Sequence, residues 1–284
     1  MEKVKKVVLI TGSNKGLGYG LVEDLLSKHS QKFKVIMTAR DQLRGIQAQQ
    51  KIKENYPNEE VDFHLLDVEN DNSRQVAFKY VQEKYGKIDV LVNNAGYLFH
   101  SEFQKEESYQ PTLDVAQKTL NINLFGAIEM TELFLPILAD DGKIIQISSR
   151  GGWMSNQPEA TQKIFTDPKN FSKKQIFDFA QDFYKQCETR IDNEKMRWSF
   201  SSYEVSKFLL NAYVRYLGKQ LLKENQQMFT ITPGWVKTDM GTDKAERTIE
   251  EGNDTTLYLI TQVAFGKNEE LNCKFIGDRV VIDW

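Results

Sequence analysis

Along the first half of the chain, apolar positions switch between two periods at regular intervals. Residues 7–11 form an unbroken apolar run, the pattern of a strand covered on both faces. A glycine-rich turn follows, and Leu17, Leu21, Val22, Leu25 and Leu26 then recur at helical spacing. The same reading predicts strands over 33–39, 61–66, 88–92 and 143–148, separated by helices over 41–55, 73–85 and 113–138. Asp41 stands where a helix N-cap is wanted. Beyond these lie a helix over 202–222 and strands over 228–232 and 274–277. Strand–helix alternation of this kind predicts an α/β fold, a doubly wound parallel sheet of seven strands in one Rossmann-type domain spanning 1–284.

One stretch breaks the rhythm. About fifty residues separate Ser149 from Tyr203, where such connections ordinarily take about 2–6. Within it, 171–188 reads as a helix, opened by a capping box between Ser172 and Gln175. Ile176, Phe179, Ala180, Phe183 and Cys187 make an apolar stripe at helical spacing, expected to pack on the main domain. Residues 151–198 are therefore read as a helical insertion.

Composition narrows the partners. The 284 residues are 40% hydrophobic and 27% charged, with a net charge of −3. No basic surplus points to nucleic acid or a membrane surface, and the longest apolar runs are too short to span a bilayer. The first six residues run straight into a strand, without the apolar stretch of a signal peptide. Cys187 and Cys273 make neither a disulfide framework nor a zinc pattern, and His29, His64 and His100 are scattered, so no metal site is expected. The expectation is a soluble, reduced, cytoplasmic protein acting on a small molecule.

The chemistry is concentrated at strand ends. Thr11-Gly12-Ser13-Asn14-Lys15-Gly16-Leu17-Gly18 follows the first strand and opens a helix. Glycines there let the backbone turn and approach a pyrophosphate, which a helix N-terminus attracts. NAD binders usually place an acid at the end of the second strand to hold the ribose 2′-hydroxyl. Here Thr38-Ala39-Arg40 stands instead. Arg40 suits a 2′-phosphate, and Lys15 and Arg44 reach the same region, so NADPH is expected over NADH. Asp41 is the opposing signal: turned to the ribose it would favour NAD, whereas a capping role leaves NADPH favoured. Tyr203 and Lys207, four residues apart on a helix, share one face. An ammonium beside a phenol favours the phenolate, which would bring a tyrosine into acid–base range.

Together these motifs resemble the short-chain dehydrogenase/reductase family across essentially the whole chain. The resemblance rests on Thr11 to Gly18, on Asn93-Asn94-Ala95-Gly96 and Asn123-Leu124-Phe125-Gly126, on Ser148-Ser149, and on Tyr203-x3-Lys207. Pro233-Gly234-Trp235-Val236-Lys237-Thr238 completes the set. Within the family the chain looks like the monomeric NADPH-dependent carbonyl reductases, through Thr38 to Asp41, the long insertion, Pro233 to Met240 and Trp284. The resemblance implies a monomer, because in that branch the insertion covers the helix face used by tetrameric relatives.

It also implies roles. Tyr203 would be the general acid to a carbonyl oxygen, and Ser149 would hydrogen-bond that oxygen. Lys207 would lower the Tyr203 pKa and bind the nicotinamide ribose, and Asn123 would anchor a water relay. Gly12, Asn14, Lys15, Gly16, Leu17, Gly18, Arg40, Arg44, Asp67, Val68, Asn94 and Gly96 would line the cofactor site, with Tyr203, Lys207, Pro233, Gly234, Val236 and Thr238 at its nicotinamide end. Asp67 and Thr238 also suit ordinary turn caps. Trp235 and Met240 are expected beside the substrate, and Trp153 either lines the pocket or belongs to the core. Arg150 is a departure, since a small or apolar residue usually follows the serine; it either attracts polar carbonyls or points to solvent. The expected reaction is NADPH-dependent reduction of aldehydes, ketones or quinones. An oxidative alcohol or steroid dehydrogenase, or a weakly active NADPH-binding regulator, is the alternative.

Overall fold

A computed structural model describes residues 4–99, 109–166, 171–189 and 197–284. His100 and parts of the expected insertion, 167–170 and 190–196, lie outside the described residues. The order of elements is β1 (Lys6–Ile10), α1 (Gly16–His29), β2 (Phe33–Ala39), α2 (Gln42–Asn55), β3 (Val61–Leu65), α3 (Asp71–Tyr85) and β4 (Ile88–Asn93). Then come α4 (Leu113–Leu120), α5 (Ala127–Phe134), β5 (Leu138–Ile147), α6 (Glu159–Thr166), α7 (Lys173–Thr189) and α8 (Ser202–Leu221). The chain finishes with β6 (Gln227–Thr232), α9 (Ile249–Thr261), β7 (Phe275–Gly277) and β8 (Val280–Val281).

The strands form one sheet in the order β3-β2-β1-β4-β5-β6-β7-β8. Every pair is parallel except β7 with β8. Side-chain alternation along β1 splits the core into two layers. Val7 and Leu9 face a layer built with α3, α4, α5, α7 and α8. Val8 and Ile10 face a layer built with α1, α2 and α9. Sequential order reverses between β1 and β4, so their carboxyl ends flank the crevice where ligands bind in open α/β sheets.

The structure corrects the sequence reading in three places. The expected helix over 113–138 is interrupted: α4 gives way to a π-helical turn at Asn121–Gly126, α5 follows, and a 3₁₀ turn at Leu135–Ile137 carries Pro136. Proline offers no amide hydrogen to continue a helix, and β5 starts at Leu138 rather than 143. Its first residues pair with β4 across a register shift between Ile88 and Val90, which admits Asp140-Asp141-Gly142 into the strand. The strands number eight rather than seven. Asp278 and Arg279, at φ 50° and 64°, make a two-residue hairpin turn that returns the short, antiparallel β8. Helix α9 was not anticipated, although its capping box, Thr248 with Glu251, was there to be read.

The apolar stripe of α7 packs as expected. Ile176, Phe179, Ala180, Phe183 and Cys187 are buried with Phe208 of α8, and Phe177 stacks on Phe125 at 4.8 Å. Lys173 reaches Glu132 of α5 at 2.5 Å.

A buried lysine ties β5 to the C-terminal end of α9. Lys143 of β5 is 0% exposed; its Nζ donates to the carbonyls of Leu259 and Val263, both at 2.7 Å, at the C-terminal end of α9. Phe265 covers it, with the ring centroid 3.9 Å from Nζ. Burial, helped by the nearby Lys6 ammonium, pushes its pKa down to about 7. Above that pH the unfolded chain holds a proton that the native chain lacks, so this group's penalty is full below about 7 and fades towards the unfolded pKa. The wild type is therefore expected to gain stability relative to Lys143→Met as pH rises from about 7 to about 10, read from urea midpoints at each pH. A pH-independent difference would overturn this.

Candidate active site

Four loops at the carboxyl ends of β1, β4, β5 and β6 meet around the N-terminal half of α8. The turn after β1 has Gly12 at φ +61° and Gly16 at φ +58°, a region side chains rarely adopt. Asn94 braces that turn from the β4 side: its Nδ2 donates to the carbonyls of Thr11 at 2.8 Å and Gly12 at 3.0 Å. Gly18 packs against the same amide. Leu17 and Val236 both pack against Gly252 of α9.

Asn94 therefore holds the turn in shape. Asp67 accepts from the Glu69 amide at 3.1 Å, capping its own turn beside buried Val68. Thr238 likewise accepts from the Gly241 amide at 3.1 Å, while its methyl group faces Gly16. Gly96 lies close to both Asn123 and Met240, so the segment from Pro233 to Met240 leans across the crevice between the glycine turn and the β4 loop. Gly234 has φ +77°, and the Pro233 carbonyl accepts from Arg247 at 3.4 Å.

Lys15, Arg44 and Asn14 line one open cleft of about 410 Å³, together with Tyr19, Gln47, Ala48 and Lys51. The lining holds three cations and no carboxylate. Arg40 is exposed and outside this lining. The sequence pattern did not single out Tyr19, in the first turn of α1, or Lys51, in the second half of α2, because only the fold brings these separate helices to one cleft. Asp41 is used as a cap, accepting from the Arg44 amide at 2.9 Å. Among the described residues, neither Arg40 nor Arg44 is ion-paired with a carboxylate, whereas Lys15 meets Asp239 at 2.6 Å.

The two serines after β5 divide their tasks. Buried Ser148 straps the strand to α8: its hydroxyl donates to the Lys207 carbonyl at 3.4 Å. Ser149 faces the crevice, where its Oγ accepts from the Gly151 amide at 3.0 Å and hydrogen-bonds the Tyr203 phenol. Lys207, 4% exposed, passes beneath Tyr203 with Nζ 5.7 Å from the ring centroid, and donates to the Ile147 carbonyl at 2.7 Å.

The shared helical face is as the spacing predicted, but the electrostatics differ. Burial pushes the Tyr203 pKa up, and the Ser149 hydrogen bond is what pulls it back. Burial also lowers the Lys207 pKa to about 8. Desolvation is the leading cause of both shifts, and the ammonium is turned to the Ile147 carbonyl.

Asn123 lies in the π-helical turn, a feature common at functional sites. Its side chain is fully engaged: Oδ1 accepts from the Tyr97 amide at 2.7 Å, and Nδ2 donates to the Tyr97 carbonyl at 2.8 Å and to Ser206 Oγ at 3.1 Å. It ties the β4 loop to the helix carrying Tyr203 and Lys207. Trp235 and Met240, each 38% exposed, stand over the crevice, and Trp235 Nε1 donates to the Gly241 carbonyl at 2.7 Å. Arg150 turns to the surface, pairing with Asp278 at 3.3 Å and lying over the half-buried Trp153 ring at 5.7 Å. Asp278 also receives Arg247 at 2.7 Å. Among the described residues no cluster of His, Cys, Asp or Glu could hold a metal, Cys187 and Cys273 are buried and outside any disulfide, and no helix is long and apolar enough to cross a membrane.

A glycine turn at the switch point, a strand-end serine and a Tyr-x3-Lys helix place the chain in the short-chain dehydrogenase family, whose sequence profile matches residues 6–161. Similarity to individual members runs further. A carbonyl reductase (NADPH) 3 of Rattus norvegicus is 32% identical over 292 residues, covering 100% of both chains. The (+)-neomenthol dehydrogenase of Arabidopsis thaliana is 29% identical over 278 residues, covering 91% of this chain and 92% of its own. Salutaridine reductase from Papaver somniferum matches the structure with a TM-score of 0.81 at 27% identity, over 96% of this chain and 100% of that one.

Proposed function

We propose that this chain reduces carbonyl compounds to alcohols with NADPH, Tyr203 giving its proton to the carbonyl oxygen. One observation carries the reading: the Ser149 and Tyr203 hydroxyls hydrogen-bond each other at the crevice mouth, with Lys207 beneath the ring. A carbonyl oxygen placed between them meets two donors, one to stabilise developing negative charge and one to transfer a proton. NADPH, when bound, supplies the hydride that reaches the carbonyl carbon. Raised by burial, the Tyr203 phenol stays protonated at neutral pH, the form a proton donor needs.

Several features support NADPH. The turn at the start of α1 suits a pyrophosphate, Lys15 and Arg44 line a carboxylate-free cleft, and the Asp41 carboxylate is used as a cap. Relatives named for NADPH and for carbonyl reduction support the same reading. Aldehydes, ketones and quinones remain the substrate class. Trp235 and Met240 border the opening, while Arg150 is held by Asp278 away from it. The insertion supports a monomer, because α7 buries its apolar stripe on α8 and stacks Phe177 on Phe125. Two buried cysteines held as thiols rather than as a disulfide suit a cytoplasmic setting.

The test follows NADPH consumption with menadione and a series of aldehydes. Turnover with NADPH, and far weaker turnover with NADH, is the expected result; cofactor binding without turnover on any carbonyl would refute the proposal. Arg44→Ala is expected to raise KM for NADPH roughly 10- to 100-fold, the worth of one charge-assisted hydrogen bond, with KM for NADH little changed.

A further inference from the structure

The proposed reaction uses nothing beyond the crevice, yet one contact set behind it grips the turn that carries Ser149. Trp284 Nε1 donates to the Gly152 carbonyl at 2.7 Å, and Asn211 Nδ2 donates to the same oxygen at 3.1 Å. The Trp284 ring stacks on Phe208 at 5.1 Å and 25°, meets Tyr216 at 5.8 Å, and lies under the Arg215 guanidinium at 5.5 Å. It is thus fixed to the helix that carries Tyr203 and Lys207, one residue past the lysine.

Gly152 itself is pressed on that helix. A Cβ at this position would lie 2.7 Å from the Lys207 carbonyl carbon and 2.8 Å from its oxygen, so only glycine fits. From Gly152 the connection to the reacting groups is short. Its amide donates to the Ser149 carbonyl at 2.9 Å, and the Gly151 amide donates to Ser149 Oγ at 3.0 Å. Gly151 also adjoins the Tyr203 ring. One tight turn, Ser149 to Gly152, therefore has the Ser149 hydroxyl at one end and a carbonyl gripped by two side chains at the other.

We propose that Trp284 is a positioning residue: with Asn211 it holds the Gly152 carbonyl, and so fixes the turn that presents the Ser149 hydroxyl to Tyr203. The indole does two separable things. Its ring fills space against Phe208, and its N–H sets the height of the turn over the helix. Loss of the N–H alone frees the Gly152 carbonyl from one of its two donors and loosens Ser149 without emptying the core. The proposal rests on the carbonyl-reductase reading, because Ser149 alignment shows itself in turnover.

The experiment compares Trp284→Phe, which keeps an aromatic face and loses the donor, with Trp284→Ala, which loses both. Steady-state kinetics, thermal denaturation and amide hydrogen exchange at Gly151 and Gly152 are measured for each. For Trp284→Phe the expected result is a fall in kcat of roughly ten-fold, the scale of a small misalignment, with KM for NADPH and the melting temperature near wild type. Both amides exchange faster in both variants, and Trp284→Ala also melts lower. Wild-type kcat in Trp284→Phe, or a loss of kcat that only tracks a lower melting temperature, overturns the proposal. If the wild type reduces no carbonyl, the functional reading falls and amide exchange alone decides: unchanged protection in Trp284→Phe overturns the positioning role, and faster exchange upholds it.

Discussion

Tyr203→Phe is expected to lower kcat for carbonyl reduction by roughly 10²- to 10⁴-fold, the contribution of a positioned general acid, and to leave NADPH binding nearly unchanged. The variant removes one oxygen from a ring that already packs over Lys207, with Nζ 5.7 Å from the centroid. Packing and cofactor contacts survive while the transferable proton is lost. Ser149 keeps its hydrogen bond from the Gly151 amide, so an oxygen-binding donor remains. The expected signature is a collapse of kcat, measured by NADPH consumption, beside a near-normal dissociation constant for NADPH from fluorescence titration. Full turnover in the variant would remove Tyr203 from the mechanism.

The second large effect concerns Lys207 and the pH profile. Activity in the free enzyme is expected to fall as pH rises through about 8, where burial places the Lys207 pKa. The sign follows from which forms are needed. The Tyr203 phenol, raised above its ordinary value by burial, stays protonated across that range and does not limit the alkaline side. The ammonium of Lys207 is the charged form, present below its pKa, and under the proposed mechanism it is this form that would steady negative charge near the reacting oxygen. Its neighbours are the Ile147 carbonyl, to which it donates at 2.7 Å, and the Tyr203 ring, and burial is the cause of its shift. Lys207→Met is expected to reduce kcat/KM by about 10²-fold and to abolish the limb near 8, because no buried ammonium is left to titrate. A limb persisting in Lys207→Met would assign it to another group.

Much of this site was legible as local pattern. The glycine turn was readable because left-handed backbone at Gly12 and Gly16 is a property of those residues themselves. The sharing of one helical face by Tyr203 and Lys207 follows from four residues of spacing. Asp41 and Thr238 were readable as caps for the same reason, since a cap is made within three residues. Elements whose boundaries depend on partners were read less well. Residues 138–142 join β5 because β4 lies beside them across a register shift, although Asp140-Asp141-Gly142 carries the local signature of a turn. Strand β8 has two residues and exists through its pairing with β7. The helix drawn through Asn123 is opened into a π-helical turn in which that side chain meets Tyr97 and Ser206.

By itself the sequence determined the alternation of strands and helices, the place of the glycine turn and which residues, Ser149, Tyr203 and Lys207, meet at the crevice. These depend on side-chain periodicity and backbone preference, which act over a few residues. Tertiary structure alone decided the balance of charge. Burial raises the Tyr203 phenol and lowers Lys207, reversing the coupling that spacing implied, because desolvation depends on everything packed around a group. It also decided the long-range partners: Asp239 for Lys15, Asp278 for Arg150, two helix-end carbonyls for Lys143, and the Gly152 carbonyl for Trp284. Each joins residues far apart in the chain, and closing so large a loop is favourable only once the rest of the fold has brought its ends together.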